Sequence, residues 1–129
     1  MRDFKAFGIQ DEVYAIQFSS GVVKVGRTQD YGRRIYEHAK AAKARGQFVT
    51  GEWHMFVDDS HHAELQLMGF ATALGGVALP RKAEFYNGVD FDALVKLATD
   101  QYGDFDSWMH EQDVLIAQGM NAWFAIPDA

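Results

Sequence analysis

The sequence predicts an α/β protein of the α+β type, with a small three-stranded, mainly antiparallel sheet flanked by helices. Two observations support this class. β-Branched and aromatic runs occur at 13–18, 22–28 and 53–57, whereas 30–46 and 60–76 have helical composition. The resulting order of strand, strand, helix, strand and helix is typical of helices packed on a small sheet.

The first two runs predict a β-hairpin at 13–28. Its loop, 19–21, ends in the glycine that a left-handed position of a three-residue hairpin loop requires. With this loop, Ile16 lies opposite Lys24. Because side chains alternate between the two faces of a strand, Tyr14 and Lys24 then share one face of the sheet.

A helix is predicted at 30–46. Thr28 or Asp30 can cap its start, Ala, Lys and Arg favour its body, and Gly46 can end it. Basic residues near its C-terminus complement the helix dipole.

An extended segment is predicted at 47–58. Its second half, 53–57, has the stronger strand pattern, and Gly51 is a candidate bulge. The next helix is predicted to begin at the cap residue Ser60 and to end at the glycines 75–76. Its apolar stripe has helical spacing and comprises Leu67, Phe70, Ala71 and Leu74.

The remainder predicts a loop and short strand at 77–88 and two further helices. Asp90 caps the first, which Gly103 stops near Tyr102, and Asp104 or Asp106 caps the second. The apolar positions of the second helix are Trp108, Leu115 and Ile116, and the apolar tail 121–127 is expected to pack on the domain or on a partner.

Composition restricts the function. The 129 residues suit one domain, and the absence of cysteine excludes disulfide frameworks, thiol nucleophiles and cysteine-bound zinc. No signal-peptide pattern and no apolar run of about 20 residues occurs, so we expect a cytoplasmic protein without a membrane partner.

Charge is distributed unevenly along the chain. The formal net charge is −6, yet residues 1–89 hold eleven of the twelve Lys and Arg residues against ten acids. Residues 24–45 carry seven basic and two acidic residues, whereas 90–129 carry one lysine and eight acids. The sequence therefore predicts a basic patch suited to phosphates and an acidic C-terminal region.

Several chemistry-bearing residues follow one another in a recognisable order. Tyr14 on the first strand, Lys24-Val25-Gly26 on the second, then Arg34 and His38 on the helix and Glu64 on the next helix resemble the GIY-YIG nuclease domain. The Lys-Val-Gly form resembles the phage and bacterial branch of that family. The resemblance covers about 12–90, and the single domain 1–129 would then end in an acidic helical extension, 91–129.

The resemblance implies a metal-dependent endonuclease that hydrolyses DNA phosphodiester bonds. One divalent cation, Mg²⁺ or Mn²⁺, would bind Glu64, and Arg34 would hold the phosphate. Tyr14 would take a proton from the attacking water, which its ordinary pKa of about 10 permits only if nearby cations lower it. Lys24 replaces the second tyrosine of the family, and His38 would relay a proton or orient substrate.

Nucleic-acid contacts are expected from a further set of residues, comprising Arg27, Arg33, Lys40, Lys43 and Asn87. Asn87 matches a family asparagine only loosely. DNA is the expected partner, and RNA stays open as an alternative.

Simpler interpretations stand beside these. Tyr14 can be a core aromatic, Lys24 a solvated lysine, and Arg34 one half of a salt bridge with Glu37 or Glu64. His61 lies one helical turn before Glu64, but two ligands do not make a metal site. The function alternatives are a weak or inactive adaptor that binds nucleic acid or protein, and a protein that binds no nucleic acid. A homo-oligomer or a protein partner would use the acidic C-terminal region.

Overall fold

A computed structural model describes residues 11–117, with side chains as far as 112. The α+β class is confirmed. The elements are β1 (Glu12–Phe18), β2 (Val23–Thr28), α1 (Tyr31–Lys43), β3 (Val49–Phe56), α2 (Ser60–Ala73), β4 (Val77–Leu79), β5 (Lys82–Asn87) and α3 (Phe91–Ala117). The predicted tail at 121–127 lies outside the described residues, as do the side chains of Leu115 and Ile116. Along 11–117, no helix is long and apolar enough to cross a membrane.

The sheet has five antiparallel strands in the order β3-β1-β2-β5-β4, so the predicted number of three is wrong. The two additional strands, β4 and β5, form a hairpin on the far side of β2. β5 is the short strand predicted within 77–88, whereas β4 lies where a loop was predicted. β4 has only three residues and is followed by Pro80, and Arg81 adopts a left-handed φ of 61° in the turn. A short strand that ends at a proline has the composition of a loop, which explains the error.

The predicted β1–β2 register is confirmed. Ile16 pairs with Lys24 and Tyr14 pairs with Gly26. The backbone N–H of Phe18 donates to Val22 O at 3.0 Å, and Gly21 in the loop has a φ of 90°. The bulge predicted near Gly51 is also present, because the β1–β3 register shifts between Gln17 and Phe18.

Both helices that flank β3 begin with an aspartate cap. The Asp30 side chain accepts from the backbone N–H of Arg33, in agreement with one predicted cap of α1. The cap of α2 is Asp59 rather than Ser60. Ser60 instead starts the helix and donates its hydroxyl to Asp11 Oδ2 at 2.8 Å.

The two helices predicted after residue 90 form one helix, α3. Asp90 caps it as predicted, since its side chain accepts from the backbone N–H of Ala93 at 3.1 Å. The predicted stop at Gly103 is wrong, and neither Asp104 nor Asp106 starts a new helix. A glycine within a helix costs about 1 kcal/mol relative to alanine.

Contacts on both sides of Gly103 offset that cost. Before it, the Tyr102 hydroxyl donates to Gln66 Oε1 at 2.6 Å, and after it Met109 is fully buried. Asp106 accepts from the backbone N–H of Phe56 at 2.9 Å, so it ties α3 to the edge strand β3.

The sheet separates two cores. On one face, α2 and α3 cover a large cluster that includes Val13, Val25 and Leu67. On the other face, α1 covers a smaller cluster that includes Tyr14, Ile16 and Tyr31. Tyr14 and α2 therefore lie on opposite sides of the sheet, and any site that joins them has to lie at an edge.

Candidate active site

The open part of the β2 edge provides such a place. β5 pairs with β2 at Val23 and Lys24, and the ladder does not extend to Gly26. A cleft of about 280 Å³ lies here. It contains all five predicted catalytic residues, which come from β1, β2, α1 and α2, and its lining is Tyr14, Lys24, Gly26, Arg27, Arg34, His38, Glu64 and Glu84.

Tyr14 reaches this edge by crossing over Gly26. A Cβ atom on Gly26 would lie 2.5 Å from the Tyr14 hydroxyl, closer than real Cβ atoms approach another atom. The glycine thus makes room for the phenol opposite it in the ladder. Its replacement by any larger residue would displace the phenol from the cleft.

The Tyr14 hydroxyl lies 3.0 Å from His38 Nε2. Burial raises the pKa of Tyr14 to about 12, although the Arg34 guanidinium opposes this shift. Burial lowers the pKa of His38 below its ordinary 6.5, and the charges of Lys24 and Arg34 lower it further. At neutral pH the phenol therefore keeps its proton and the imidazole is neutral. In the tautomer of His38 that carries its proton on Nδ1, the phenol donates to Nε2.

This geometry changes the expected role of Tyr14. A phenol with a raised pKa is a poor base by itself. The role expected from the sequence required nearby cations to lower this pKa, and Arg34 does lower it, but burial has the larger effect. The hydrogen bond supplies an alternative, because the phenol can pass its proton to His38 as its oxygen receives one.

Lys24 is buried rather than solvated, with 8% of its side chain exposed. Its ammonium donates to Glu84 Oε2 and, at 2.9 Å, to Val25 O. Its Nζ also lies 5.9 Å from the centroid of the Tyr14 ring, so the predicted proximity of the two side chains is confirmed.

Glu84 is the cleft residue that the sequence analysis missed. It lies on β5, whose pairing with β2 places Phe85 opposite Lys24. Two features of the sequence hint at it. A lysine within an apolar strand needs an anionic partner if it is buried, and Glu84 stands next to Phe85-Tyr86 in a segment able to form a strand.

The Glu64 carboxylate, with 14% of its side chain exposed, has one salt-bridge partner among the described residues. The nearest cation is Arg27, with Nε 3.7 Å from Glu64 Oε1. Burial raises the pKa of Glu64, the negative charge of Glu84 raises it further, and Arg27 opposes both. A divalent cation here would relieve both unfavourable effects, so the carboxylate pair suits a hard cation.

The donor set in this cleft is small. No group of three or more His, Cys, Asp or Glu side chains able to hold a metal occurs among the described residues. His61 is exposed and does not line the cleft. A cation bound by Glu64 and Glu84 would therefore need water or substrate oxygens to complete its shell, as Mg²⁺ commonly does.

Arg34 lies at the mouth of the cleft with about half of its side chain exposed. Its Nη1 lies 3.5 Å from Glu37 Oε1, so the salt bridge considered from the sequence is present. An exposed pair of this kind contributes little to stability, about 0–1 kcal/mol. Arg34 can therefore exchange Glu37 for a phosphate at low cost.

The predicted nucleic-acid contacts divide into three groups. Arg27 lines the cleft. Arg33, Lys40 and Lys43 are exposed on α1, and Arg33 Nε lies 3.3 Å from Glu37 Oε2. Asn87 is exposed at the end of β5 and does not line the cleft.

The fold and this edge cleft define an α+β protein with two carboxylates and several cations around a tyrosine–histidine pair. No family model, curated protein or solved structure matches the chain.

Proposed function

We propose that the protein is a metal-dependent endonuclease that hydrolyses DNA phosphodiester bonds through a GIY-YIG-type active site. The observation that carries this proposal is the meeting of Tyr14, Arg34 and Glu64 in one cleft. These residues come from both sides of the sheet, and packing of the core alone does not require them to meet.

The candidate metal ligands are Glu64 and, from across the cleft, Glu84. When bound, Mg²⁺ or Mn²⁺ would supply Lewis-acid stabilisation of charge on the phosphoryl oxygens and the leaving group. Glu64 and Glu84 would hold the cation at the open edge of β2, where a phosphate has access from solvent.

Tyr14 and His38 act together on the attacking water. The phenol oxygen accepts a proton from water while its own proton passes to His38 Nε2 across the 3.0 Å hydrogen bond. This route needs a neutral imidazole, which the lowered pKa of His38 supplies at neutral pH. It does not need a free phenolate.

Two cations position the phosphate. Arg34, at the mouth, offers two parallel N–H donors to the phosphoryl oxygens. Lys24 is held deeper by Glu84 and contributes positive charge behind the phosphate. If Glu84 moved from Lys24 to a bound divalent cation, the Lys24 ammonium would become available to the negative charge that develops on the phosphoryl oxygens.

One observation favours the alternative, a GIY-YIG-fold adaptor that cleaves weakly or not at all. The Lys24–Glu84 ion pair neutralises the ammonium that stands in place of the second tyrosine of the family. If Glu84 keeps that contact when a substrate binds, the cleft binds a phosphate without activating its cleavage. The acidic region after residue 90 would then serve a protein partner or a second copy of the chain.

Nicking of supercoiled plasmid separates the two functions. We expect wild-type protein with Mg²⁺ or Mn²⁺ to convert supercoiled DNA into relaxed circles, and expect Arg34→Ala to lower the rate about a hundredfold or more because the phosphate loses its bidentate partner. Lys96→Ala is the matched control, because Lys96 is an exposed residue of α3 that pairs only with Asp100 among the contacts described for it. Salt-dependent binding of DNA without nicking would favour the adaptor.

A further inference from the structure

A second cavity of about 230 Å³ adjoins the cleft and shares His38 with it as a common wall. It lies between α1 and the β4–β5 hairpin. The cleft and the cavity are also joined through Lys24, whose Nζ lies 5.2 Å from the centroid of the Phe85 ring in the cavity wall. A phosphate in the cleft and a group in the cavity would therefore be close neighbours.

The cavity has an apolar, partly aromatic wall. Phe18, Val22, Leu79 and Phe85 contribute apolar surface, and only Phe18 of these four is buried. The exposed Lys82 places its ammonium 5.5 Å from the centroid of the Phe85 ring, which shows that a cation on a surface side chain can approach the ring. A planar ligand stacked on this ring would take the place of the Lys82 ammonium, which belongs to an exposed side chain.

The charged residues that line this cavity in the described part of the chain are all basic. Arg45 and Lys82 both line it and are exposed, and none of the lining residues in the described part of the chain is acidic. An aromatic surface beside two cations matches a planar base attached to a phosphate backbone. It does not match an uncharged apolar peptide or a bare acyl chain, which would leave both cations without a partner.

We propose that this cavity binds one unpaired nucleobase of the strand whose phosphate occupies the cleft, with the base stacked on Phe85. This assignment rests on the proposed function, since it names the substrate class of the same site. The volume is below the roughly 300–1,000 Å³ of pockets for drug-sized ligands, so it suits one ring system.

Only an unpaired base meets the requirements of the cavity. In a duplex, both faces of a base are stacked and its edge is paired, so the base has to leave the helix to reach an apolar wall. A base that is already unpaired avoids the cost of unstacking. The preferred substrate is therefore DNA with a single-stranded arm or a mismatch beside the scissile bond, while Arg45 and Lys82 contact the flanking phosphates.

Binding of two matched DNAs in EDTA tests the subsite without cleavage. Both carry 2-aminopurine at one position, which lies in a three-nucleotide single-stranded arm in one and in continuous duplex in the other. We expect the arm substrate to bind on the order of ten-fold more tightly and its 2-aminopurine fluorescence to be quenched by stacking, in line with typical stacking energies.

Three variants and one control test whether the residues that line this cavity bind the unpaired base. Phe85→Leu should abolish the quenching and most of the preference, and Arg45→Gln or Lys82→Gln should weaken binding and reduce its salt dependence. Lys96→Gln should leave all readouts unchanged, since it removes an exposed lysine on α3. The two glutamine variants alter exposed side chains, so they test the proposal even if Phe85→Leu unfolds.

The outcomes separate this inference from the proposed function. Equal affinity for the two DNAs, or quenching unaffected by all three variants, overturns the subsite even when the wild type nicks plasmid in Mg²⁺. An arm preference that depends on these three residues, in a protein that never nicks DNA, supports the subsite and overturns the cleavage proposal.

Discussion

Glu64→Gln is expected to slow metal-dependent nicking of plasmid by about a hundred- to a thousand-fold, the effect of losing several kcal/mol of charge stabilisation in the transition state. Gln keeps the size of the side chain but removes the anionic oxygen that would hold the cation. Glu84 would then be the one carboxylate left among the described residues that line the cleft, and it would have to give up its contact with Lys24 to hold the cation alone. The measurement is the initial nicking rate at a fixed concentration of Mg²⁺.

The same change should leave the protein as stable as before or more stable. The pKa of Glu64 is raised in the folded state, so its ionised form costs stability at pH 7, above its ordinary pKa of 4.5. The melting temperature of Glu64→Gln should therefore equal or exceed that of the wild type.

Glu111→Gln, at an exposed position of α3, is the matched control for both the nicking rate and the melting temperature. A wild-type nicking rate in Glu64→Gln would contradict the assigned role.

Tyr14→Phe is expected to slow nicking by about a hundred- to ten-thousand-fold, the usual contribution of a positioned proton-transfer group. The ring still fills its place over Gly26, and the change removes only the hydroxyl that lies 3.0 Å from His38. The fold should be retained, with a loss of about 1 kcal/mol for one hydrogen bond. Nicking rates and melting temperatures, measured on the same preparations, check both expectations.

The pH dependence identifies the proton acceptor. If His38 takes the proton through Tyr14, the rate falls as pH drops through the lowered pKa of His38, because the imidazolium cannot accept, and it levels off above pH 6.5. If Tyr14 acts alone as phenolate, its pKa of about 12 makes the rate rise about ten-fold per pH unit from 7 to 10. The second profile would contradict the relay. A titration of the His38 ring by NMR gives the pKa independently.

The sequence predicts those residues of the site that one hairpin or one helical turn brings together. The β1–β2 register follows from the period of two and from the length of a loop that ends in Gly21, and together these place Tyr14 and Lys24 on one face. His38 lies one turn after Arg34, so the cleft receives both from α1. Each relation spans only a few residues or one hairpin.

Contacts between residues that are far apart in the sequence cannot be predicted from such local patterns. Glu84 meets Lys24 across 60 positions of sequence, through a register of β5 that no nearby turn sets. Likewise, α3 continues through Gly103 because Tyr102 and Met109 on either side pack against other elements. Tertiary contacts overrode the local signal in both places.

The charge of the cleft also depends on such a contact. From the sequence, Lys24 is a cation that would assist Tyr14. In the fold, its ammonium is paired with Glu84, and burial has the largest effect on the pKa of Tyr14. The proposed chemistry therefore moves from a phenolate to a Tyr14–His38 pair, a change that only the three-dimensional arrangement could supply.

Anomalous diffraction from crystals soaked in Mn²⁺ tests the central claim most directly. We expect one manganese peak in the edge cleft, within ligand distance of the Glu64 carboxylate and on the side that faces Tyr14 and Arg34. A peak that lies only elsewhere, or a Glu64 carboxylate that stays on Arg27 at saturating Mn²⁺, would contradict the assignment of this cleft as a metal-dependent phosphodiesterase site.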